Sequence, residues 1–184
     1  VGIPPYRLPR EIVQQAIDEV RRLGVEILSD TPIGKELNLE TLRKEYDAVY
    51  IAAGAHKAEK LGISGEDLQG VIHGVTFMRR VNLGEELKIG QRVAVVGGGN
   101  TAMDTARSSF RLGAKEVFIL YRRTRDEMPV DHRELEQVEE EGIKIHYLTS
   151  PIQALSKDGI SVSGLRCIRN RLGEPDQDGR RRPI

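Results

Sequence analysis

The chain has 184 residues, 39% of them hydrophobic, enough for one good core or two small ones. Lys plus Arg and Asp plus Glu balance at 28 each, so no net field draws the chain towards nucleic acid or an anionic membrane surface. No apolar run reaches membrane-spanning length, and the single cysteine, Cys167, excludes an internal disulfide, a CxxC redox pair and an iron–sulfur site built on four cysteines of this chain.

Residues 1–9 read as an extended, proline-bounded entry with no signal peptide, as though the chain began inside a domain. Residues 10–23 have helical spacing, with Ile12, Val13, Ala16, Ile17, Val20 and Leu23 on one stripe and Gly24 just past the end. The apolar runs 25–28 and 47–53 predict two strands, the second buried and stopping at Gly54. Between them residues 30–34 turn, and Asn38 is placed to cap a brief helix reaching Lys44. Residues 55–74 are polar and glycine-dotted, a crossing segment, and 76–83 predict a short helix with Phe77 inward.

Residues 91–148 then carry one α/β unit. Val93 to Val96 is a continuous apolar run of the kind buried on both faces of a parallel sheet. It breaks into Gly97, Gly98 and Gly99, after which Ala102, Ala106 and Phe110 mark a helix closing at Gly113, and residues 116–121 give the next strand. Gly97, Gly99 and Ala102 hold the small positions of G-x-G-x-x-G/A. The first serves a tight turn, the second the close approach of a pyrophosphate, the third the packing of helix on strand. With Gly98, Asn100 and Thr101 they form the predicted dinucleotide loop, where the open end of a helix favours phosphate. A bare glycine-rich turn is the plainer alternative.

The end of the second strand bears on which dinucleotide. A carboxylate there would hold the ribose 2′-OH of NAD; this chain has Arg122 and Arg123, whose planar forks suit a 2′-phosphate. NADP(H) is the expected nucleotide, and a solvated basic strand end is the alternative. Asp131 and Glu134 have capping-box spacing for a helix ending at Gly142, and 143–148 reads as a third parallel strand. After Pro151 the pattern turns to alternation: 152–155, a turn at Lys157-Asp158-Gly159, then 160–169, an antiparallel excursion from the sheet. Residues 172–183 read as a turn between strands whose second member is cut off. Cys167 is expected as a small apolar filler of its strand.

His56, His73, His132 and His146 lack metal-ligand spacing, Glu139-Glu140-Glu141 reads as a solvated helix face, and no metal site is expected. Arg180-Arg181-Arg182 suggests an exposed turn, with contact to a partner or a cofactor phosphate as the alternative. A short-chain dehydrogenase would need Tyr-x-x-x-Lys, but Tyr46 is followed at that spacing by Tyr50 and Tyr121 by Arg125.

Taken in order, a series of short motifs resembles one family. They are Gly2-Ile3-Pro4, Arg7-Leu8-Pro9, Gly24-Val25, Tyr46-Asp47-Ala48-Val49 and Ala53-Gly54-Ala55, then Gly97 to Asp104, Tyr121-Arg122-Arg123, Glu127-Met128-Pro129 and Leu172-Gly173-Glu174-Pro175-Asp176. The family is the small (beta) subunit of NADPH-dependent glutamate synthase and its relatives, among them the flavin part of dihydropyrimidine dehydrogenase. The resemblance implies an α/β fold: a Rossmann-like parallel-sheet NAD(P)-binding domain with an antiparallel excursion, plus a partial FAD-binding α/β domain. Residues 1–75 would be the second half of the FAD domain and a crossover, and 76–184 an NADP(H) domain incomplete at its C-terminal end. The FAD-domain glycine loop would lie upstream of Val1, so the fragment alone should hold FAD poorly.

In such proteins NADPH gives a hydride to FAD, and electrons pass on through iron–sulfur clusters, in a further domain or partner, to an electron-accepting subunit. The single cysteine is compatible with a reducing cytoplasm. By position Arg7, Ile33, Ala53 and Gly54 would contact FAD. No catalytic side chain is expected, because hydride transfer between two held rings needs orientation above all. The alternatives are a non-catalytic NADP(H)-binding or docking domain and an NADPH:ferredoxin-type transhydrogenase subunit.

Overall fold

The structure, a computed structural model, describes residues 2–34, 37–175, 177, 179 and 181–184; expectations that touch Val1, Asp176 and Arg180 lie outside these. Two compact units form, one of Pro5–His56 and the other of Val1–Pro4 with Lys57–Ile184.

The Pro5–His56 unit holds two helices. α1 (Arg10–Arg22) ends as its sequence requires, at Leu23 and a Gly24 with φ +86°, which only a glycine adopts freely. α2 (Leu39–Glu45) is capped by Asn38, whose side-chain oxygen accepts from Thr41 N at 2.9 Å. The strands expected at 25–28 and 47–53 do not form. A strand exists only as a member of a ladder, and neither segment has a ladder partner among the described residues. The second segment is not buried either: Tyr50 is 92% and Ile51 70% exposed.

In the other unit, α3 (Gly74–Asn82) starts two residues before the expected helix and buries Phe77 as foreseen. A three-stranded parallel sheet follows, β1 (Arg92–Val96), β2 (Glu116–Leu120) and β3 (Lys144–His146), in the order β1-β2-β3. α4 (Asn100–Arg111) connects β1 to β2, and α5 (His132–Glu140) connects β2 to β3. Met103, Ala106, Val117, Ile119, Leu135, Val138 and Ile143 form the heart of the core. The buried stripe of α4 leaves out Phe110, which is 40% exposed. Each i+4 step advances the helix face by about 40°, so the stripe runs through Ala102, Ala106 and Ser109 and Phe110 falls off its edge.

Past the sheet, β4 (Thr149–Ser156) and β5 (Val162–Arg169) pair antiparallel, as the alternation predicted. The register slips between Pro151 and Gln153, where a proline that lacks an N–H can be accommodated. The turn between them is tied by Asp158, whose carboxylate accepts from Ser156 Oγ, Ile160 N and Ser161 N at 2.7–2.9 Å. The crossing segment docks on this hairpin through Ala154 N to Ser64 O and Val162 N to Gln69 O. Two expectations fail here. Cys167 is exposed rather than a filler, because residues 166–169 of β5 all face solvent. The second member of the last pair, expected to be missing, is present: β6 (Leu172–Pro175) pairs antiparallel with β7 (Arg181–Pro183). No helix among the described residues is long and apolar enough to cross a membrane.

Candidate functional site

β1 and β2 run parallel with Val96 beside Leu120, so the segments that follow them leave the sheet side by side at its carboxyl edge. That is where open α/β sheets place their ligands. Gly97 makes the turn with φ +136°, and its N–H donates to Leu120 O at 3.0 Å. A Cβ added at Gly97 would meet Ala102 Cβ at 3.4 Å, the edge of ordinary contact, so it is the positive φ rather than lack of space that calls for glycine here.

Gly99 caps α4 in an extended conformation with no side-chain cap. The first inward backbone bonds come from Ala102 N and Met103 N, both onto Gly99 O. The N–H groups of Asn100 and Thr101 therefore lie in the open first turn, where helices bind anions. An atom added at Gly99 meets nothing within 4 Å. Gly98 has a different reason to be glycine: an added Cβ would come within 2.5 Å of Cδ2 of the Tyr121 ring.

Tyr121 is buried, and its hydroxyl donates to Glu127 O at 2.7 Å. Beyond it a single 3-10 turn, Arg125–Glu127, is closed by a reciprocal box: the Thr124 side chain caps the turn while Thr124 N donates to Glu127 Oε2 at 3.0 Å. The Arg181 guanidinium, from β7, pairs with the same carboxylate. Burial alone would raise the Glu127 carboxyl, but these donors outweigh it and hold it below its ordinary range. The T-x-x-E spacing of this box was readable in the sequence. Where the sequence suggested a box, Asp131 caps α5 by accepting from Arg133 N at 2.8 Å rather than from Glu134 N.

Arg122 is exposed and Arg123 half-buried, and both follow the end of β2. The Nε of Arg123 is buried and has no hydrogen-bond partner. The remaining candidates, Arg7, Ile33, Ala53 and Gly54, lie in the Pro5–His56 unit. There Ile33 bridges Leu37 and is 57% exposed, and Ala53 and Gly54 are exposed. No cluster of potential metal ligands occurs among the described residues. The acidic run is more engaged than a solvated face: Glu141 bonds Arg107 and Arg111 at 2.8 Å, and Glu139 bonds Arg125 at 2.7 Å.

A parallel strand, a positive-φ glycine turn, an uncapped helix and a second strand in this register define a dinucleotide-binding domain of the Rossmann type. The model of the pyridine nucleotide-disulphide oxidoreductase family matches residues 13–167. The chain belongs to that family. It is 45% identical over 186 residues to the NADPH-Fe(3+) oxidoreductase subunit beta of Geobacter sulfurreducens, covering 100% of this chain and 28% of that one. To the glutamate synthase [NADPH] small chain of Halomonas elongata it is 38% identical over 192 residues, covering 99% and 40%. The chain thus spans less than half the length of these curated relatives. Among solved structures it shares the fold of Mycobacterium tuberculosis FprA in complex with NADPH, with a TM-score of 0.80 and 21% identity, covering 100% of this chain and 56% of that one.

Proposed function

We propose that this chain is the nucleotide-binding portion of an NADPH-dependent flavin oxidoreductase. One observation carries the reading. The turn at residues 97–99 leaves β1 beside the end of β2, and there the chain carries Arg122 and Arg123 where an NAD site would carry a carboxylate. Two planar guanidinium groups suit a 2′-phosphate, the anion that this end of the strand would receive. The names of both relatives above specify NADPH, which agrees.

On this reading Gly97 to Ala102 hold the pyrophosphate on the open end of α4, and Arg122 with Arg123 hold the 2′-phosphate. Residues 76–184 are the NADP(H) domain. Residues 1–75 are the second half of an FAD domain, in which Arg7, Ile33, Ala53 and Gly54 add contacts, followed by a crossover. FAD, when bound, supplies the acceptor for the hydride that NADPH carries. This chain's residues bind and orient the nucleotide, and none acts as acid, base or nucleophile. A cytoplasmic electron-accepting subunit or domain, reached through iron–sulfur clusters, completes the scheme. The test is anaerobic reduction of the intact protein with either nucleotide: NADPH should bleach the flavin far more efficiently than NADH. Binding of NADPH without flavin reduction would make it a docking domain instead.

A further inference from the structure

Tyr121, Arg122 and Arg123 have left the sheet, so their carbonyls have no ladder partners of the usual kind. Each is nevertheless taken. Tyr121 O accepts from Thr149 N at 2.9 Å and Arg123 O from Leu148 N at 2.9 Å. Arg122 O accepts from the side chain of Asn170, Nδ2, at 2.9 Å. These donors come from the β3–β4 corner and from the residue that follows β5. Leu148 holds φ +52° to present its N–H, a conformation a branched side chain resists.

Asn170 is 7% exposed, and its amide also donates to Ser150 Oγ at 2.8 Å, while its own N–H donates to Leu148 O at 2.8 Å. A carbonyl can only accept, so the nitrogen of the Asn170 amide must be the atom that faces Arg122. The bond spans 48 positions of sequence and ends on the backbone of an arginine read above as a specificity element.

We propose that Asn170 is a positioning residue for nucleotide choice: it fixes the backbone of Arg122 so that the arginine pair meets a 2′-phosphate. This rests on the NADP(H) reading of Arg122 and Arg123. It also gives the antiparallel hairpin a task, as the arm that carries Asn170 to the strand end. With its own carbonyl released, Arg122 is held only through the carbonyls of its two neighbours, and its side chain samples more positions. The loss falls on the 2′-phosphate alone, since on this reading the pyrophosphate sits on α4.

The test is equilibrium titration of the intact protein with NADP+ and NAD+, which differ only in that phosphate. Asn170→Leu and Asn170→Ala should weaken NADP+ by about tenfold, the value of one charge-assisted contact, and leave NAD+ affinity unchanged. Added salt should matter less to NADP+ binding in both variants than in the unmodified protein. Asn170→Ser, which keeps a donor, should recover part of the preference. Equal loss of both nucleotides would show a merely structural residue and overturn the proposal. Arg122→Ala with Arg123→Ala is the reference. If it abolishes the NADP+ preference while both Asn170 variants retain theirs, the positioning role fails and the arginine grip stands. If the arginine variant keeps the preference, the grip itself fails and this role with it.

Discussion

The ring of Tyr121 occupies the space that a side chain at Gly98 would need. The middle glycine of the loop is therefore fixed by the protein itself, not by the nucleotide. Tyr121 is also buried and anchored through its hydroxyl to Glu127 O, so it cannot swing aside cheaply. Gly98→Ala should destabilise the fold by about 1–3 kcal/mol, as overpacking does. The paired change Gly98→Ala with Tyr121→Ala should cost less than the two single changes added together. Strictly additive penalties in thermal melts would show that the ring and the glycine do not compete.

Gly99 behaves in the opposite way, because an added atom there meets no protein within 4 Å and its backbone is ordinary extended chain. Gly99→Val should cost about 1 kcal/mol, the loss of a favoured helix N-cap, and thus about 2–4 °C in Tm. Its effect on nucleotide should be far larger and equal for NADPH and NADH, since both bring the same pyrophosphate to that surface. A Kd change confined to one nucleotide would move the pyrophosphate elsewhere.

The β1–α4–β2 unit was legible because its signals are local: an apolar run, three glycines, a helical period and a second run within about thirty residues. What was not legible depends on partners distant in sequence. Residues 25–28 and 47–53 have strand composition, yet composition cannot supply the neighbour that turns a run into a ladder. Nothing around Asn170 marks it as the residue that reaches Arg122, nor around Tyr121 as the ring that excludes a side chain from Gly98. Phe110 misled for another reason: its spacing of four repeated twice drifts off the face that α4 buries. Thr124 and Glu127 did carry a readable spacing, but Asp131 and Glu134 carry the same one.

Glu141 joins α5 to α4 through Arg107 and Arg111. Burial would raise its carboxyl, but the two guanidinium groups outweigh burial and hold it below the ordinary value of 4.5. A group depressed in the folded state stabilises the protein above its unfolded pKa, and that contribution is lost as pH falls through the lower folded value. Glu141→Gln should therefore cost about 1.5–3 kcal/mol near neutral pH, the range for hydrogen bonds to charged groups. The gap between variant and unmodified protein should close on acidification below pH 4.5. A gap that stays constant across that range would mean the pair contributes through shape rather than charge.

Arg122 and Arg123 are where nucleotide choice should be decided, since a carboxylate at this strand end would repel a 2′-phosphate that two guanidinium groups attract. One hydrogen bond to a charged group contributes roughly 1.5–3 kcal/mol, and each 1.4 kcal/mol is about tenfold in affinity. NADPH should be favoured over NADH by roughly a hundredfold in kcat/KM when both side chains engage. Arg122 is exposed, so salt should screen its share and narrow the preference. Changing both arginines to Ala should remove most of the advantage by raising KM for NADPH, while NADH kinetics stay nearly unchanged because NADH never used these contacts. Arg123→Ala alone should cost more than Arg122→Ala alone, because Arg123 is half-buried and its charge is less screened than that of the exposed Arg122. Equal kcat/KM for the two nucleotides in the unmodified protein would leave the arginines as a solvated strand end.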